Sequence, residues 1–187
     1  MRAFTKVLFL SFVLLAPAGV GATEAAATQA DRSAADAFKQ LGSLLGVWDG
    51  KFEDGRPHRV SYRLTAGGTV LVETWTLGPA RESLTLYHLD GDALIATHYC
   101  PQGNQPRLQL DRATGAPERL SFVFRDGGNL QVPGKSHQHA FWIEPKGPDV
   151  FVRSETYVEN GSCAAAIADA PVDAPVTYTR AGSVHAP

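Results

Sequence analysis

The chain has 187 residues, with 19 acidic and 17 basic side chains, a formal net charge of −2 at pH 7 and 44% hydrophobic residues. This composition is typical of a single folded domain. The lack of a basic excess argues against nucleic acid as a partner, because binding to phosphates requires a cationic face.

The first 22 residues predict a secretory signal peptide. Arg2 and Lys6 precede an apolar run from Val7 to Leu15, and small residues lead to a cleavage position after Ala22. We therefore expect an exported protein, periplasmic or secreted. Cleavage would lower the basic side chains from 17 to 15 against 19 acidic ones, and the formal charge from −2 to −4. No later run is long and apolar enough to span a membrane, so we expect no integral membrane segment after cleavage.

Residues 23–32 are rich in alanine and polar, which predicts a flexible leader. A capping serine at Ser33, an early acid at Asp36 and apolar positions at Ala37 and Leu41 predict a short helix that ends near Gly42. The folded domain is expected over residues 33–181, with a disordered tail at 182–187.

From Gly46 onward the pattern predicts strands. Short runs rich in Val, Thr, Tyr, Phe and Trp alternate with turn segments at residues 66–69, 90–91, 126–129 and 145–148. This spacing predicts an antiparallel meander of about eight to ten strands. Closure removes the exposed edges of such a sheet, so the predicted fold is an all-β, up-and-down barrel with a short N-terminal helix. Residues 160–175 are predicted to form one long irregular segment.

The hairpin that turns at Gly67 and Gly68 predicts which side chains face inward. Cross-strand partners share a face, and Arg59 and Arg63 occupy the opposite face, which we assign to solvent. The inward pairs are Leu64 with Leu71, Tyr62 with Glu73, and Val60 with Trp75. A buried carboxylate without a partner is costly, so Glu73 is expected to meet Tyr62, a histidine, an arginine, a metal ion or water.

His137 and His139 lie two residues apart in a predicted strand and should therefore share one face. A turn at Lys146 and Gly147 gives the pairs Ile143 with Val150, Phe141 with Val152, His139 with Ser154, and His137 with Thr156. The opposite face carries the polar residues Gln138, Glu144, Arg153 and Glu155 together with Ala140, Trp142, Phe151 and Tyr157. We assign that face to solvent because it carries the charges, so the two histidines are predicted to point inward.

A third histidine, His98, is placed on the face of Tyr87 by the turn at Asp90 and Gly91. Neither face of that hairpin is clearly polar, so the sequence leaves open whether His98 points inward. His58, His88 and His185 read as edge or tail residues, and no role is assigned to them.

The three candidates His98, His137 and His139 form a tentative metal site. Three imidazoles would make an open zinc site whose fourth position is left for water, and that water would be acidified and able to act as a nucleophile. Glu73 would then be its general base or a hydrogen-bonding partner of the site. Another transition metal is also possible. The alternative is that these side chains only form hydrogen bonds in a polar-lined cavity, since a lone His-x-His is a weak signal.

The segment from Cys100 to Arg107 is unusually polar for a connection between two apolar strands. The amides of Asn104 and Gln105 could contact a ligand at the barrel mouth, and Arg107 could attract an anionic group. The alternative is a loop shaped by its glycine and prolines and held by a disulfide.

Cys100 and Cys163 are the two cysteines of the chain. In an exported protein an even number of cysteines predicts a disulfide between them. Thiols acting as metal ligands are the alternative.

The stretch Gly46-Val47-Trp48, which opens the first strand after a short helix, resembles the start of lipocalin-like, or calycin, barrels. In that family the tryptophan closes one barrel end, and an arginine of the last strand packs over it by a cation–π contact. Arg180 matches that arginine, so the resemblance implies a contact between Arg180 and Trp48. The layout also resembles the small bacterial barrels of the nitrobindin type, which hold haem through a histidine. The broader resemblance implies an internal cavity for a small, mostly apolar ligand, and no chemistry.

The sequence thus favours an exported protein that holds a small apolar or amphipathic ligand in a barrel cavity. Its candidate ligand-binding residues are Tyr62, Glu73, His137, His139, Asn104 and Gln105. The alternative is an enzyme in the same cavity, either dependent on a His-ligated metal or using a Glu and His pair for proton transfer; no residue is assigned as catalytic. A purely structural envelope protein is a third possibility and would require an exposed apolar patch. The chain contains neither a Gly-x-Ser-x-Gly stretch nor a Gly-rich phosphate loop.

Overall fold

The protein forms a closed barrel of ten antiparallel strands in a computed structural model that describes residues 32–113 and 118–182. The strands are β1 (Gly46–Lys51), β2 (Pro57–Thr65), β3 (Val70–Thr76), β4 (Glu82–Asp90), β5 (Ala93–Tyr99), β6 (Gln105–Leu110), β7 (Leu120–Gly128), β8 (Ser136–Pro145), β9 (Val150–Glu159) and β10 (Val176–Arg180). Each strand pairs with the next, and β1 pairs with β10. The predicted up-and-down barrel is confirmed. The predicted signal peptide and nearly all of the leader lie outside the described residues.

Within the described residues, two α-helices accompany the strands, α1 (Ala34–Leu41) and α2 (Ala164–Ala168). Ser33 caps α1 as predicted, because its hydroxyl accepts a hydrogen bond from the backbone N–H of Asp36 at 3.0 Å. The helix α2 is one short turn within residues 160–175, which were predicted to be irregular. In the part of the chain that the structure describes, neither helix has the length and apolar character needed to cross a membrane.

One end of the barrel is closed, and we call it the helix end. The apolar face of α1 and of the 3₁₀ turn that follows it is buried against the barrel interior through Ala34, Ala37, Leu41 and Leu44. The indole Nε1 of Trp48 donates to the carbonyl of Leu44 at 2.7 Å. The guanidinium of Arg180 lies 4.2 Å from the Trp48 ring centroid and donates to the carbonyl of Leu45 at 2.8 Å. The contact implied for Trp48 and Arg180 is therefore present, and it ties the first strand to the last.

The opposite end, which we call the open end, carries five of the connections between strands. These are residues 52–56, 77–81, 100–104, 129–135 and 160–175. Between the two ends, buried aromatic rings fill the lumen: Phe122 stacks on Phe141 at 4.7 Å, and Phe151 stacks on Tyr178 at 4.5 Å. The packed interior leaves the open end as the place where a ligand can enter.

The register of the β2–β3 hairpin agrees with the prediction. Leu64 pairs with Leu71, Tyr62 with Glu73, and Val60 with Trp75. Tyr62, Val60 and Leu71 are buried, and Glu73 has no exposed surface. The hairpin between β4 and β5 also places His98 on the inward face with Thr85, which decides the position that the sequence left open.

The register predicted for the β8–β9 hairpin is wrong. Ile143 pairs with Arg153 and Phe141 with Glu155, because the turn is centred near Pro148 and not between Lys146 and Gly147. A shift of three residues exchanges the two faces of β9. Phe151 and Arg153 are consequently buried inside the barrel, although they were assigned to solvent.

The pairing of β8 with β9 is also interrupted by a bulge between Gln138 and Ala140. A bulge adds one residue to one strand and re-aims the side chains beside it. Gln138, which was assigned to solvent, is fully buried as a result, and the nitrogen and oxygen of its amide have no hydrogen-bond partner among the described residues.

The predicted disulfide is likewise wrong, because Cys100 and Cys163 are both free. Cys100 lies just after β5 and is half-buried, whereas Cys163 is exposed at the start of α2. The two cysteines belong to different connections of the open end, and the sequence does not show how far apart those connections lie.

Candidate functional site

A buried ion pair lies at the centre of the barrel. Glu73 of β3 and Arg153 of β9 have 0% and 1% of their side chains exposed, and Arg153 Nη1 donates to Glu73 Oε2 at 2.8 Å. The Tyr87 hydroxyl donates to the same oxygen at 2.6 Å, and the Trp75 indole donates to Glu73 Oε1. Arg153 Nε donates to Glu155 at 2.7 Å. The predicted need of Glu73 for a partner is met by an arginine that sequence analysis had placed outside.

The protonation states in this network follow from competing effects. Burial by itself would raise the pKa of Glu73, but the charge of Arg153 and the hydrogen bonds from Tyr87 and Trp75 outweigh it and hold the pKa below its usual value. Burial alone would lower the pKa of Arg153, and the charges of Glu73 and Glu155 raise it well above its usual value instead. Both groups are therefore charged, and Glu73 is a poor proton acceptor.

One guanidinium nitrogen of Arg153 takes no part in these hydrogen bonds. Its Nη2 is buried and has no hydrogen-bond partner among the described residues. Arg153 lies over the rings of Phe141 and Trp75, with distances of 4.4 and 5.0 Å to their centroids. A buried donor without an acceptor is unfavourable, so this nitrogen is available to an acceptor brought by a ligand.

Arg153 lines a recess of about 490 Å³ at the open end, which we call the first cavity. Its apolar wall is formed by the rings of Phe52, Trp75 and Tyr178, together with Val176. Its polar wall contains Glu155 and Asp173 beside Arg153. A cavity of this volume that combines an apolar wall with converging polar groups can hold a small molecule.

Segment 172–174 forms one rim of the first cavity and is attached to β9. Thr156 bridges Val172, the Ser154 hydroxyl donates to the carbonyl of Asp173 at 2.7 Å, and the N–H of Asp173 donates to the carbonyl of Glu155 at 2.8 Å. Burial and the charge of Glu155 raise the pKa of Asp173. The rim is thus held in place by backbone bonds, although it belongs to the connection predicted as irregular.

His58 is a residue of this region that sequence analysis missed. It is 4% exposed, and its Nε2 is 2.8 Å from the Tyr178 hydroxyl. Its ring is stacked between Phe52 at 4.1 Å and Trp75 at 5.3 Å. The signal was available, because His58 lies two residues before Val60 in β2 and so belongs to the same inward face.

His58 is expected to make the protein less stable in mild acid. Burial lowers the pKa of His58, and the charge of Glu155 only partly opposes this. Because the unfolded chain then binds the proton more readily, stability is fully present above the ordinary histidine pKa of about 6.5 and is lost as the pH falls from there towards the folded-state pKa. His58 therefore contributes a fall in the free energy of unfolding as the pH drops below about 6.5.

The check is urea unfolding of the protein and of His58→Asn at a series of pH values from 7.5 to 5. The variant should lose less stability over this range than the parent. Part of the pH dependence that remains is attributed to His98, because burial lowers the pKa of His98 as well. His88→Asn is the control for the loss of an imidazole outside this cluster. Parallel slopes for His58→Asn and the parent would contradict the expectation.

A second cavity of about 270 Å³ adjoins the first. It is lined by Arg81, Ser83, His98, Cys100 and Gln102, and also by five residues of the first cavity: Phe52, Arg56, Trp75, Glu155 and Asp173. His98 is 3% exposed, and its Nδ1 lies 3.0 Å from the hydroxyl of Thr85. The two cavities are therefore adjacent, with Trp75 among the residues between them.

The structure does not bring the three predicted metal ligands together. His137 and His139 are neighbours, with 3.3 Å between His137 Nε2 and His139 Nδ1, and both pack against Phe124. His137 Nδ1 lies 2.9 Å from the side-chain oxygen of Asn160. His98 instead lies on β5 beside Thr85. Over residues 32–113 and 118–182, no group of three or more His, Cys, Asp or Glu side chains is arranged to hold a metal ion.

The other predicted ligand-binding residues have structural contacts. Asn104 is buried, and its amide donates to the carbonyl of Ser136 at 2.8 Å. Gln105 donates to the carbonyl of Gly103 at 3.0 Å. Arg107 forms an ion pair with Asp126 on the outer surface. These contacts hold the strand connections of the open end together.

Tyr62 is also buried, 3% exposed, opposite Glu73. Burial and the neighbouring charge of Glu73 raise its pKa well above the usual tyrosine value, so its hydroxyl stays protonated. Tyr62 and Glu73 lie beneath the first cavity's wall residue Trp75, to whose indole Glu73 is bonded.

The chain is similar to a protein of known structure, described as the crystal structure of Rv2717c from M. tuberculosis. The TM-score is 0.45 and the sequence identity 16%, over 77% of this chain and 96% of that chain. No family model matches this chain, and no curated protein matches it. The function proposed below therefore rests on the contacts of this chain's own residues.

Proposed function

We propose that the protein is an exported, calycin-like binding protein that holds a small, flat, amphipathic molecule in the first cavity. The observation that carries the proposal is that Arg153, whose buried Nη2 lacks a hydrogen-bond partner among the described residues, lines a cavity that also has an aromatic wall. Flat rings of a ligand would pack on Trp75 and Tyr178. An acceptor atom on the ligand would satisfy Arg153.

The charges of the cavity favour a neutral acceptor. Four carboxylates line it, from Glu53, Asp54, Glu155 and Asp173, against the two guanidinium groups of Arg56 and Arg153. An anionic group held against Arg153 would also be close to Glu155, to which Arg153 is already bonded. A carbonyl oxygen accepts a hydrogen bond without adding charge, so we infer a ligand head group that is flat, neutral and carbonyl-bearing.

The inward residues predicted from the sequence support this site indirectly. Glu73 does not line the first cavity; its bond to Arg153 fixes the guanidinium from below. The catalytic alternative finds less support, because Glu73 accepts bonds from Trp75, Tyr87 and Arg153 and is held as a carboxylate. A general base must have a free acceptor near its target proton.

Filling the first cavity is expected to abolish binding of a suitable probe. 7-Methoxycoumarin is a flat, neutral molecule with one carbonyl and represents the proposed class. Ala174 lines the cavity rim and is exposed, so Ala174→Trp can place an indole over the entrance without disturbing the core. We expect the affinity for the coumarin, measured by isothermal titration calorimetry, to fall at least about tenfold, equivalent to about 1.4 kcal/mol.

Val47→Trp is the matched control, because Val47 is 39% exposed on β1 at the helix end. It adds the same indole to the surface and should bind the coumarin as the parent does. Equal affinity of the parent and Ala174→Trp would place the binding elsewhere. No binding by the parent of this or related neutral aryl carbonyl compounds would refute the proposal.

A further inference from the structure

The first and second cavities lie side by side at the open end and have five lining residues in common. Phe52, Arg56, Trp75, Glu155 and Asp173 line both of them. The combined recess therefore extends from Tyr178 on β10, past Trp75 on β3, to His98 on β5.

The residues that belong to only one cavity differ in charge. Those of the first cavity include Glu53 and Asp54 against Arg153, a formal excess of one negative charge. Among those of the second cavity, Arg81 carries the formal charge, and it forms no ion pair with a described residue. Arg56, which lines both cavities, is already paired with Asp54 at 2.7 Å. Glu155 and Asp173 line both cavities, so the second cavity has two guanidinium groups against two carboxylates, whereas the first has two against four. The end formed by Arg81 is therefore the less negative of the two.

The second cavity also offers neutral hydrogen-bonding groups near Arg81. Ser83 lies two residues after Arg81, in β4, and is 6% exposed. His98 uses Nδ1 in its contact with Thr85, which leaves Nε2 for a ligand. Gln102, by contrast, is occupied: its side chain donates to the Ser136 hydroxyl at 3.0 Å and accepts from the Ser136 N–H at 2.9 Å.

We propose that the ligand spans both cavities, with its flat carbonyl-bearing head in the first and a flexible arm that ends in a carboxylate in the second, beside Arg81, Ser83 and His98. This inference rests on the proposed function and adds the arm and its charge. A guanidinium binds a carboxylate through two parallel hydrogen bonds. Because Arg81 is exposed, the carboxylate itself should add only a few-fold to the affinity, whereas the arm adds apolar contact along the shared wall.

The two free cysteines provide reporters for the test. Cys100 lines the second cavity, and Cys163 lies in the 160–175 connection and does not line either cavity. We would measure the rate at which iodoacetamide alkylates each thiol, by peptide mass spectrometry, with saturating 7-methoxycoumarin or saturating 4-(coumarin-7-yloxy)butanoic acid. The methoxy compound should change neither rate. The butanoic acid should lower the alkylation rate of Cys100 at least about tenfold, corresponding to about 1.4 kcal/mol, and leave the alkylation rate of Cys163 unchanged.

Affinity measurements separate the carboxylate from its arm. The butanoic acid should bind about three- to fivefold more tightly than its methyl ester, as expected for an exposed ion pair. Arg81→Gln should remove that difference and leave the affinity for 7-methoxycoumarin at the parental value, because Arg81 lines only the second cavity.

The outcomes distinguish this inference from the proposed function. In one outcome, 7-methoxycoumarin binds the parent and binds Ala174→Trp more weakly, but the acid neither binds more tightly than its methyl ester nor protects Cys100. That outcome would overturn the two-cavity inference and leave the first-cavity site standing. If neither compound binds the parent protein, both proposals fail. Protection of Cys163 together with Cys100 would indicate a general change of the open end and would also overturn the inference.

Discussion

Replacing Arg153 with alanine is expected to lower the free energy of unfolding by about 3–5 kcal/mol, because it leaves the buried carboxylate of Glu73 without its counter-ion. Both side chains are almost fully buried, and Arg153 also contacts Trp75 and Phe141. The measurement is equilibrium unfolding in guanidinium chloride at pH 7. The loss in free energy of unfolding should greatly exceed the loss caused by truncating one side chain at the surface.

The pair of Arg119 and Glu144 provides the matched control. Arg119 Nη2 lies 3.0 Å from Glu144, and 35% of the Arg119 side chain is exposed. Arg119→Ala should therefore lower stability by no more than about 1 kcal/mol. If Arg153→Ala and Arg119→Ala lost similar amounts, Glu73 would have to be hydrated or protonated already, and the described network would be wrong.

The pH dependence gives an independent check on the same variant. Without Arg153, burial raises the pKa of Glu73 above its usual value, and the folded state takes up a proton more readily than the unfolded chain. The stability lost in Arg153→Ala should then be partly recovered as the pH falls from 7 towards 5. The double variant Glu73→Gln, Arg153→Met removes both charges and should be more stable than Arg153→Ala at pH 7.

Replacing Trp48 with alanine is expected to lower the free energy of unfolding by about 3–5 kcal/mol. Trp48 is 1% exposed, packs edge-on against Phe151 at 4.9 Å and is bonded to the carbonyl of Leu44. Its loss leaves a cavity between the helix and the barrel and removes the ring beneath Arg180. Thermal unfolding followed by circular dichroism would measure the change.

Trp142→Ala is the control for the loss of an indole with a cation–π partner. The guanidinium of Arg119 lies 3.9 Å from the Trp142 ring centroid, but Trp142 is only half-buried on the outer face of β8. Its replacement should lower stability by about 1 kcal/mol or less. Equal losses for the two tryptophans would show that closure of the helix end does not depend on Trp48.

The inward position of Glu73 could be predicted because one tight turn fixes the register of β2 and β3. The two glycines at the turn, Gly67 and Gly68, have positive φ angles of 66° and 90°, and this conformation is open to glycine without strain. Strand alternation then carries the assignment from Leu64 and Leu71 to Tyr62 and Glu73. In this hairpin, local sequence is sufficient because turn, pairing and burial agree.

The position of Arg153 could not be predicted in the same way. The connection between β8 and β9 contains a glycine and a proline, and a second proline ends β8. These residues permit several turn lengths, and a change of an odd number of residues exchanges the faces of the strand. The bulge beside His139 shifts the pairing once more. Arg153 was therefore assigned to solvent, although the carboxylate of Glu73 on β3 stabilises it inside the barrel.

The sequence by itself determined a meander of about eight to ten strands, the capped helix and the burial of Glu73, because each follows from contacts local in the chain or from alternation along one hairpin. The contact of Trp48 with Arg180 was implied only by the resemblance to calycin barrels. The tertiary structure alone decided that Arg153 meets Glu73, that His98 lies apart from His137 and His139, and that Phe52, Trp75 and Tyr178 form one cavity wall. These residues lie on strands distant in the chain, and only the register and closure of the whole barrel bring them together.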